Sequence, residues 1–253
     1  MTPDIVVDVG NSRMKWGLCA PDVVQVVSLP LDDLNAWDDQ AEKWWTEGPT
    51  NWAVGGVNPK RIEQFLKWQR TRGGNARHFT RYDQLPIKLA VDAPETVGLD
   101  RLFGCVAANS LRVAGCAAVT IDVGTAVTVN VLDPDGVFRG GAIFPSFRLM
   151  AKALHENTAK LPEVDATANH TAFPGTNTLD AIRTGIRCAV VGGVLAACDE
   201  VAKVYGPPDG IDAFVTGGGS TPDLFAAPGW NFLHVPTLNL DGIRLTAIRR
   251  QSV

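Results

Sequence analysis

Two short apolar runs, both rich in β-branched residues, end alike. Residues 4–10 read Asp4-Ile5-Val6-Val7-Asp8-Val9-Gly10, and residues 119–126 read Val119-Thr120-Ile121-Asp122-Val123-Gly124-Thr125-Ala126. Such runs predict buried strands. In each, an acidic side chain emerges near the strand end. A glycine then permits a tight turn that exposes backbone N–H groups.

Each run is followed by a predicted hairpin strand, over 14–18 in the first case and 126–133 in the second. In the first half, Leu34, Trp37, Ala41, Trp44 and Trp45 recur at helical spacing. Residues 54–57 predict a short buried strand, and residues 60–70 a helix with Ile62, Phe65 and Leu66 inward. Residues 76–97 are mixed, broken by Pro86 and Pro94. A helix is predicted from Gly98 to about Val113, with Gly115 as its stop. In the second half, Gly136 turns the chain and Gly140-Gly141-Ala142-Ile143 follows. A helix is predicted over 147–158, then a polar loop over 162–177. Thr178 to Lys203 reads as a long apolar helix with a candidate break at Gly192-Gly193, and 213–215 as a strand running into Thr216-Gly217-Gly218-Gly219-Ser220. Strands alternate with helices, which favours α/β. Asp8 and Asp122 stand 114 positions apart. The expectation is two α/β halves, 1–114 and 115–253, with a cleft between them.

Composition narrows the function classes. Of 253 residues, 45% are hydrophobic and 20% charged, which are ordinary globular values. The net charge of −4 argues against a strongly basic nucleic-acid binder. The longest uninterrupted apolar run, from Cys188 to Cys198, is far short of the roughly 20 residues that span a bilayer. No secretory signal is read at the N-terminus. The five cysteines are widely spaced without a C-x-x-C pair, which points to reduced thiols and a cytoplasmic protein without membrane attachment. His78, His155, His170 and His234 show no ligand spacing. The Asn169-His170-Thr171 sequon is then a chance match.

Three glycine turns carry candidate chemistry. In Asp8-Val9-Gly10-Asn11-Ser12, Gly10 and its successors would offer N–H groups to a phosphate, Ser12 a hydroxyl, and Asp8 a carboxylate for Mg2+, directly or through water. An ordinary hairpin would use the same residue types. Asp122-Val123-Gly124-Thr125-Ala126 repeats the pattern. Thr216-Gly217-Gly218-Gly219 would let a nucleotide come close to the backbone. No G-x-x-x-x-G-K-[ST] run occurs, so a nucleotide would be held in another way. Gly98-Leu99-Asp100-Arg101 puts an acidic residue in a first helical turn.

The two Asp-Val-Gly turns together resemble the paired phosphate loops of the superfamily of sugar kinases, actin and heat-shock ATPases. With Gly98-Leu99-Asp100-Arg101, Gly140-Gly141-Ala142-Ile143-Phe144-Pro145, Thr158-Ala159-Lys160-Leu161-Pro162, Gly175-Thr176-Asn177-Thr178 and Thr216-Gly217-Gly218, the ordered set resembles type III pantothenate kinase. The resemblance runs from residue 8 to residue 219. It implies a duplicated actin-like (ribonuclease H-like) ATPase fold, usually a homodimer, that phosphorylates pantothenate to 4′-phosphopantothenate with ATP and Mg2+, the first step of coenzyme A synthesis. Carried over by motif, Asp8, Val9, Gly10, Asn11, Ser12, Arg13, Met14 and Lys15 would contact ATP phosphates and Mg2+, joined by Thr125. Asp122 would hold a monovalent cation, K+ or NH4+. Gly98, Leu99, Asp100 and Arg101 would line the pantothenate site, with Asp100 as general base, and Thr178 would bind the far end of pantothenate.

The chain departs from the family pattern at three places. Ser12 replaces a favoured threonine. Ser146 follows Pro145 where the family often has glycine; a left-handed backbone there would cost a serine about 1 kcal/mol. The stretch 87–93 lacks the tyrosine that the family tends to place before its G-x-D-R motif. The helix N-terminus and Arg101 are both expected to lower the pKa of Asp100. The alternatives are a kinase of the same fold acting on another small alcohol, and a non-catalytic nucleotide-binding regulatory relative. Trp44-Trp45 is a candidate dimer contact, and Arg70, Arg72 and Arg77 a solvated basic surface.

Overall fold

A computed structural model describes residues 2–44, 50–166 and 173–248. Trp45, His170 and the 169–171 sequon lie outside them. The chain divides into two units. One takes in the chain up to Leu111 and the segment from Thr237 onward; the other is Arg112–Pro236. The sequence division placed everything from residue 115 onward in the second half. The structure returns the last helix to the first unit.

In the first unit, β1 (Ile5–Val9), β2 (Met14–Cys19) and β3 (Val23–Leu29) form an antiparallel meander. β4 (Asn51–Gly56) and β5 (Asn75–His78) continue the sheet in parallel, giving the order β3-β2-β1-β4-β5. The helices are α1 (Leu34–Trp44), α2 (Pro59–Arg70), α3 (Leu99–Leu111) and, far along the chain, α6 (Leu238–Ile248). Lys88–Leu89 is a two-residue strand, β6.

Strand alternation sorts the residues of this sheet. Ile5, Val7, Val9, Met14 and Trp16 share one face and a core with Trp37, Trp52, Phe65 and Trp68 from or beside α1 and α2. Trp16 and Trp52 meet edge to face at 5.2 Å, and Trp68 donates through Nε1 to Asp38 at 2.7 Å. These tryptophans are core. Trp44 packs against the same core and donates to Gln25 at 3.2 Å, an intrachain role. Val6 and Asp8 occupy the opposite face, toward α3 and α6.

In the second unit, β7 (Ala117–Val123), β8 (Ala126–Leu132) and β9 (Val137–Pro145) form the meander, and β10 (Ile211–Thr216) and β11 (Phe232–His234) run parallel to β7. The order β9-β8-β7-β10-β11 repeats that of the first unit. This repetition is the structural form of the echo between residues 8 and 122. α4 (Phe147–Glu156) and α5 (Thr178–Tyr205) cover one face, where Ile182, Ile186, Val190, Val194 and Cys198 join Val119, Ile121 and Val129.

α5 runs unbroken through Gly192-Gly193; Gly193 has Phe144 directly beside it. At 28 residues it is long and apolar enough to cross a bilayer, which the run-length argument missed because Arg187 and Asp199, which bound the apolar run, do not end the helix. One face of α5 nevertheless lies in this core.

Ser146 is extended (φ −70°, ψ 167°) and caps α4 by accepting from the Leu149 N–H at 3.3 Å. The left-handed backbone considered from the glycine preference is absent, and serine suits the cap.

The β8–β9 turn shows how a buried charge is held. Asp133 is 4% exposed and accepts from the N–H groups of Asp135 and Val137 and from Arg139 Nε at 2.7 Å. Burial pushes its carboxyl up, but these bonds and the Arg139 charge together hold it below the usual carboxylate range. A depressed folded pKa contributes stability above the unfolded value of about 3.9, and that contribution is lost as pH falls through the folded pKa. Asp133→Ala is expected to cost about 2 kcal/mol at pH 7, or roughly 4–8 °C in Tm, and less in acid. Thermal melts at pH 7 and pH 3 check this; equal losses at both would contradict it.

Candidate active site

The first glycine turn joins β1 to β2. Gly10 donates its N–H to the Arg13 carbonyl at 3.1 Å. That donor closes the hairpin and leaves Asn11 and Ser12 at its exposed tip. The Gly10 N–H expected to be offered to a phosphate is thus used within the hairpin. Arg13 is exposed and pinned by Ser28, with Nε to Oγ at 2.9 Å and Nη2 to the carbonyl at 3.2 Å. Val9 and Met14 have fully buried side chains, and the Met14 sulfur accepts from Trp16 Nε1. Either can touch a ligand only through its backbone. Asp8 and Lys15 are register partners across the β1–β2 pair, so their side chains share a face.

The same end of β1 meets the start of α3. Asp8 lies beside Gly55 and Val9 beside Gly56 in the parallel pairing with β4, and Val57 donates to the Val9 carbonyl at 3.1 Å. Gly55 is required by close approach: a Cβ there would overlap the Phe103 ring of α3. α3 also lies against α6, which packs on the same sheet, and a Cβ on Gly242 would overlap the Phe103 carbonyl. α3 is thus packed closely against both the sheet and α6 at two glycines, with its first turn next to Val57. A Cβ on Gly98 would stand 3.9 Å from Val57 Cγ1 and only 2.6 Å from Asp100 Oδ1. Glycine at 98 leaves room for the Asp100 carboxylate to fold back over the chain.

Asp100 accepts from the Arg101 N–H at 2.8 Å. Burial pushes its carboxyl above the usual range, while the Arg101 N–H and the Arg101 charge pull weakly the other way. The sequence reading foresaw the two lowering influences and not the larger opposing one. Desolvation makes Asp100 a stronger base than its helix position suggests. Asp8, the hairpin tip and Gly98–Arg101 are therefore brought to one end of the first unit.

The second unit assembles its own group. Asp122 is paired with Thr128 on β8 and Thr216 on β10. The Val123–Ala126 turn closes through the Gly124 N–H to the Ala126 carbonyl at 3.0 Å and leaves Thr125 exposed. Gly217, at φ +103°, lies directly over Asp122: a Cβ there would come within 2.5 Å of Oδ1. Gly219 donates to the Val123 carbonyl at 2.9 Å. The third glycine element is thus packed onto the second, a contact that spacing alone did not show. Thr178 stands on a separate element as the exposed first residue of α5, after the Asn177 cap.

Both implied ions suit these donors. Among the described residues no three His, Cys, Asp or Glu side chains cluster to hold a metal. A divalent ion would take Asp8 and complete its shell from phosphates and water, as Mg2+ prefers. At Asp122, glycines at 124 and 217 keep the space beside a single carboxylate clear of side chains. One charge with hydroxyl and carbonyl neighbours suits a monovalent cation.

The family model described as type III pantothenate kinase matches residues 5–200. A type III pantothenate kinase of Halorhodospira halophila is 32% identical over 94% of this chain and 95% of its own. That of Nitrosococcus oceani is 30% identical over 96% and 93%. Among solved structures, a putative Baf family transcriptional activator from Campylobacter jejuni superposes with TM-score 0.59 at 18% identity, covering 96% of each chain. A putative 2-dehydro-3-deoxygalactonokinase from Sinorhizobium meliloti gives 0.57 at 14% identity, over 96% and 97% of the two chains. An archaeal actin homologue gives 0.52 at 12% identity, over 97% and 99%. These distant structures establish the actin-like fold and no more. Fold, ordered motifs and full-length relatives converge: the chain belongs to the type III pantothenate kinase family.

Proposed function

We propose that the protein transfers the γ-phosphoryl group of ATP to the 4′-hydroxyl of pantothenate, opening coenzyme A synthesis. Family membership supports the reaction. The observation that carries the site reading is the partly buried Asp100 carboxylate, folded over Gly98 at the same end of its unit as the Asp8 hairpin.

Phosphoryl transfer asks for positioning and charge neutralisation more than covalent chemistry. In this reading the Asn11 and Ser12 turn, Arg13 and Lys15 hold the phosphates, and Thr125 holds them from the second loop. Asp8 holds Mg2+ through water and Asp122 the monovalent cation; when bound, these ions offset phosphate charge. Gly98, Leu99 and Arg101 line the acceptor site, and Thr178 takes the far end of pantothenate. Asp100 orients the hydroxyl. Its oxygen forms the new P–O bond as the bond to the ADP oxygen breaks, and its proton passes to Asp100. The test is product identity. Mass spectrometry of a reaction holding only ATP, Mg2+, K+ and pantothenate is expected to yield 4′-phosphopantothenate and ADP in equal amounts. ADP without phosphopantothenate would reject the acceptor.

A homodimer in the cytoplasm belongs to the same reading. The five cysteines are free. The face of α5 turned away from its core carries Ala181, Gly185, Cys188, Ala189, Gly192 and Ala196, all exposed. Small residues at this spacing let a second helix approach closely. Gly192→Arg is expected to convert a dimer to a monomer by light scattering. An unchanged dimer mass would remove this face from the interface.

A further inference from the structure

The loop after β10 is tied down by a side chain to which the reaction assigns no part. Ser220 Oγ lies 2.7 Å from the Gly217 carbonyl and 2.9 Å from His234 Nε2. A hydroxyl has one hydrogen, and a carbonyl can only accept. Ser220 therefore donates to Gly217, and His234 must donate from Nε2 to Ser220. The Ser220 N–H reaches the same carbonyl at 3.3 Å, and Gly219 donates to Val123 at 2.9 Å. His234 closes β11 beside Val215, whose carbonyl accepts from the Val235 N–H at 2.8 Å, so its ring is aimed from a fixed backbone. Around Gly218, by contrast, a Cβ would meet nothing within 4 Å. The loop is thus anchored at Gly217, Gly219 and Ser220 and open at Gly218.

We infer that His234 is a positioning residue for nucleotide, acting through Ser220 to hold the Gly217–Gly219 loop in the shape that receives ATP at Gly218. The inference rests on the reading of the protein as an ATP-dependent kinase. Without the His234 donor, the Ser220 hydroxyl keeps only its bond to the Gly217 carbonyl and the loop loses its tie to β11, so more of its ordering must occur when nucleotide binds. Part of the binding energy is then spent on that ordering.

The experiment is ATP binding by titration calorimetry on the full chain, beside steady-state kinetics. His234→Phe keeps the ring and removes the donor. Its Kd and KM for ATP are expected to rise about fivefold, the worth of one uncharged hydrogen bond. The KM for pantothenate is expected to stay within about twofold of wild type, a split that general destabilisation would not produce. His234→Gln places an N–H donor at similar reach and is expected to restore ATP affinity. Ser220→Ala is expected to match His234→Phe, and the double variant to be no worse than either single one. Wild-type ATP affinity in both His234→Phe and Ser220→Ala overturns the inference and leaves the kinase reading intact. A wild-type protein that binds no ATP overturns the kinase reading itself, and the inference with it. If His234→Phe does not fold, Ser220→Ala alone decides.

Discussion

Replacing Asp100 with asparagine is expected to lower kcat by about 10²–10⁴-fold, the usual worth of a positioned general base, and to leave the protein no less stable at pH 7. The two halves of this expectation come from one fact. Burial raises the Asp100 carboxyl above its ordinary range. A raised folded pKa means that ionised Asp100 costs stability at neutral pH. The favourable contribution is fully present below the unfolded value of about 3.9 and is lost as pH rises through the folded pKa. Asparagine cannot ionise, so it escapes that cost while keeping a side-chain oxygen for the Arg101 N–H. Thermal melts are expected to match or exceed wild type at pH 7, with the difference closing toward pH 3. For the wild type, kcat/KM is expected to fall in acid with a midpoint above the ordinary aspartate value, because the base must be deprotonated to work. A variant with wild-type kcat would remove Asp100 from this role. A variant that melts well below wild type at pH 7 would contradict the burial argument.

The second large effect lies away from the chemistry. Gly242→Ala puts a methyl where the Phe103 carbonyl stands. Both partners are backbone in helices, so neither can rotate aside. The expected cost is about 3 kcal/mol, at the upper end for overpacking, with Tm lower by roughly 6–12 °C. α3 also carries Asp100, so kcat is expected to drop at temperatures where the variant is still folded. Calorimetry together with kcat at 25 °C checks both. An unchanged Tm would show that α3 and α6 do not need this separation.

These two sites show what the sequence made legible. The β-branched runs, the paired Asp-Val-Gly turns and the Gly98 helix start could be read because strand period, turn chemistry and helix start are local properties. The repeated topology followed from them. The short strands β5 and β6 fall in or beside the stretch 76–97, which showed no period, and three further elements escaped. β3 is an edge strand with exposed valines at 24 and 26, so no in-out alternation marks it. β11 is only three residues long. α6 carries Gly242 in mid-helix and is buried on more than one side, so it offers neither a clean apolar stripe nor an uninterrupted helical run. Missing α6 misplaced the domain boundary.

At the site, residue types were legible and environments were not. The spacing that placed Asp100 near Arg101 said nothing of how much water each would lose. The adjacency that put Met14 in a phosphate motif did not reveal its core-facing side of the strand. The approach of Gly217 to Asp122 depends on strand pairing between β7 and β10, which join residues almost a hundred positions apart.

The central claim is that this chain phosphorylates pantothenate in particular. The most direct measurement is ADP release by the purified protein with ATP, Mg2+ and K+, comparing pantothenate with a panel of sugars and with no acceptor. The account predicts release that depends on pantothenate, is near background with every sugar, and disappears in Asp100→Asn. Release stimulated by a sugar, or none above background from folded protein that binds ATP, would contradict it.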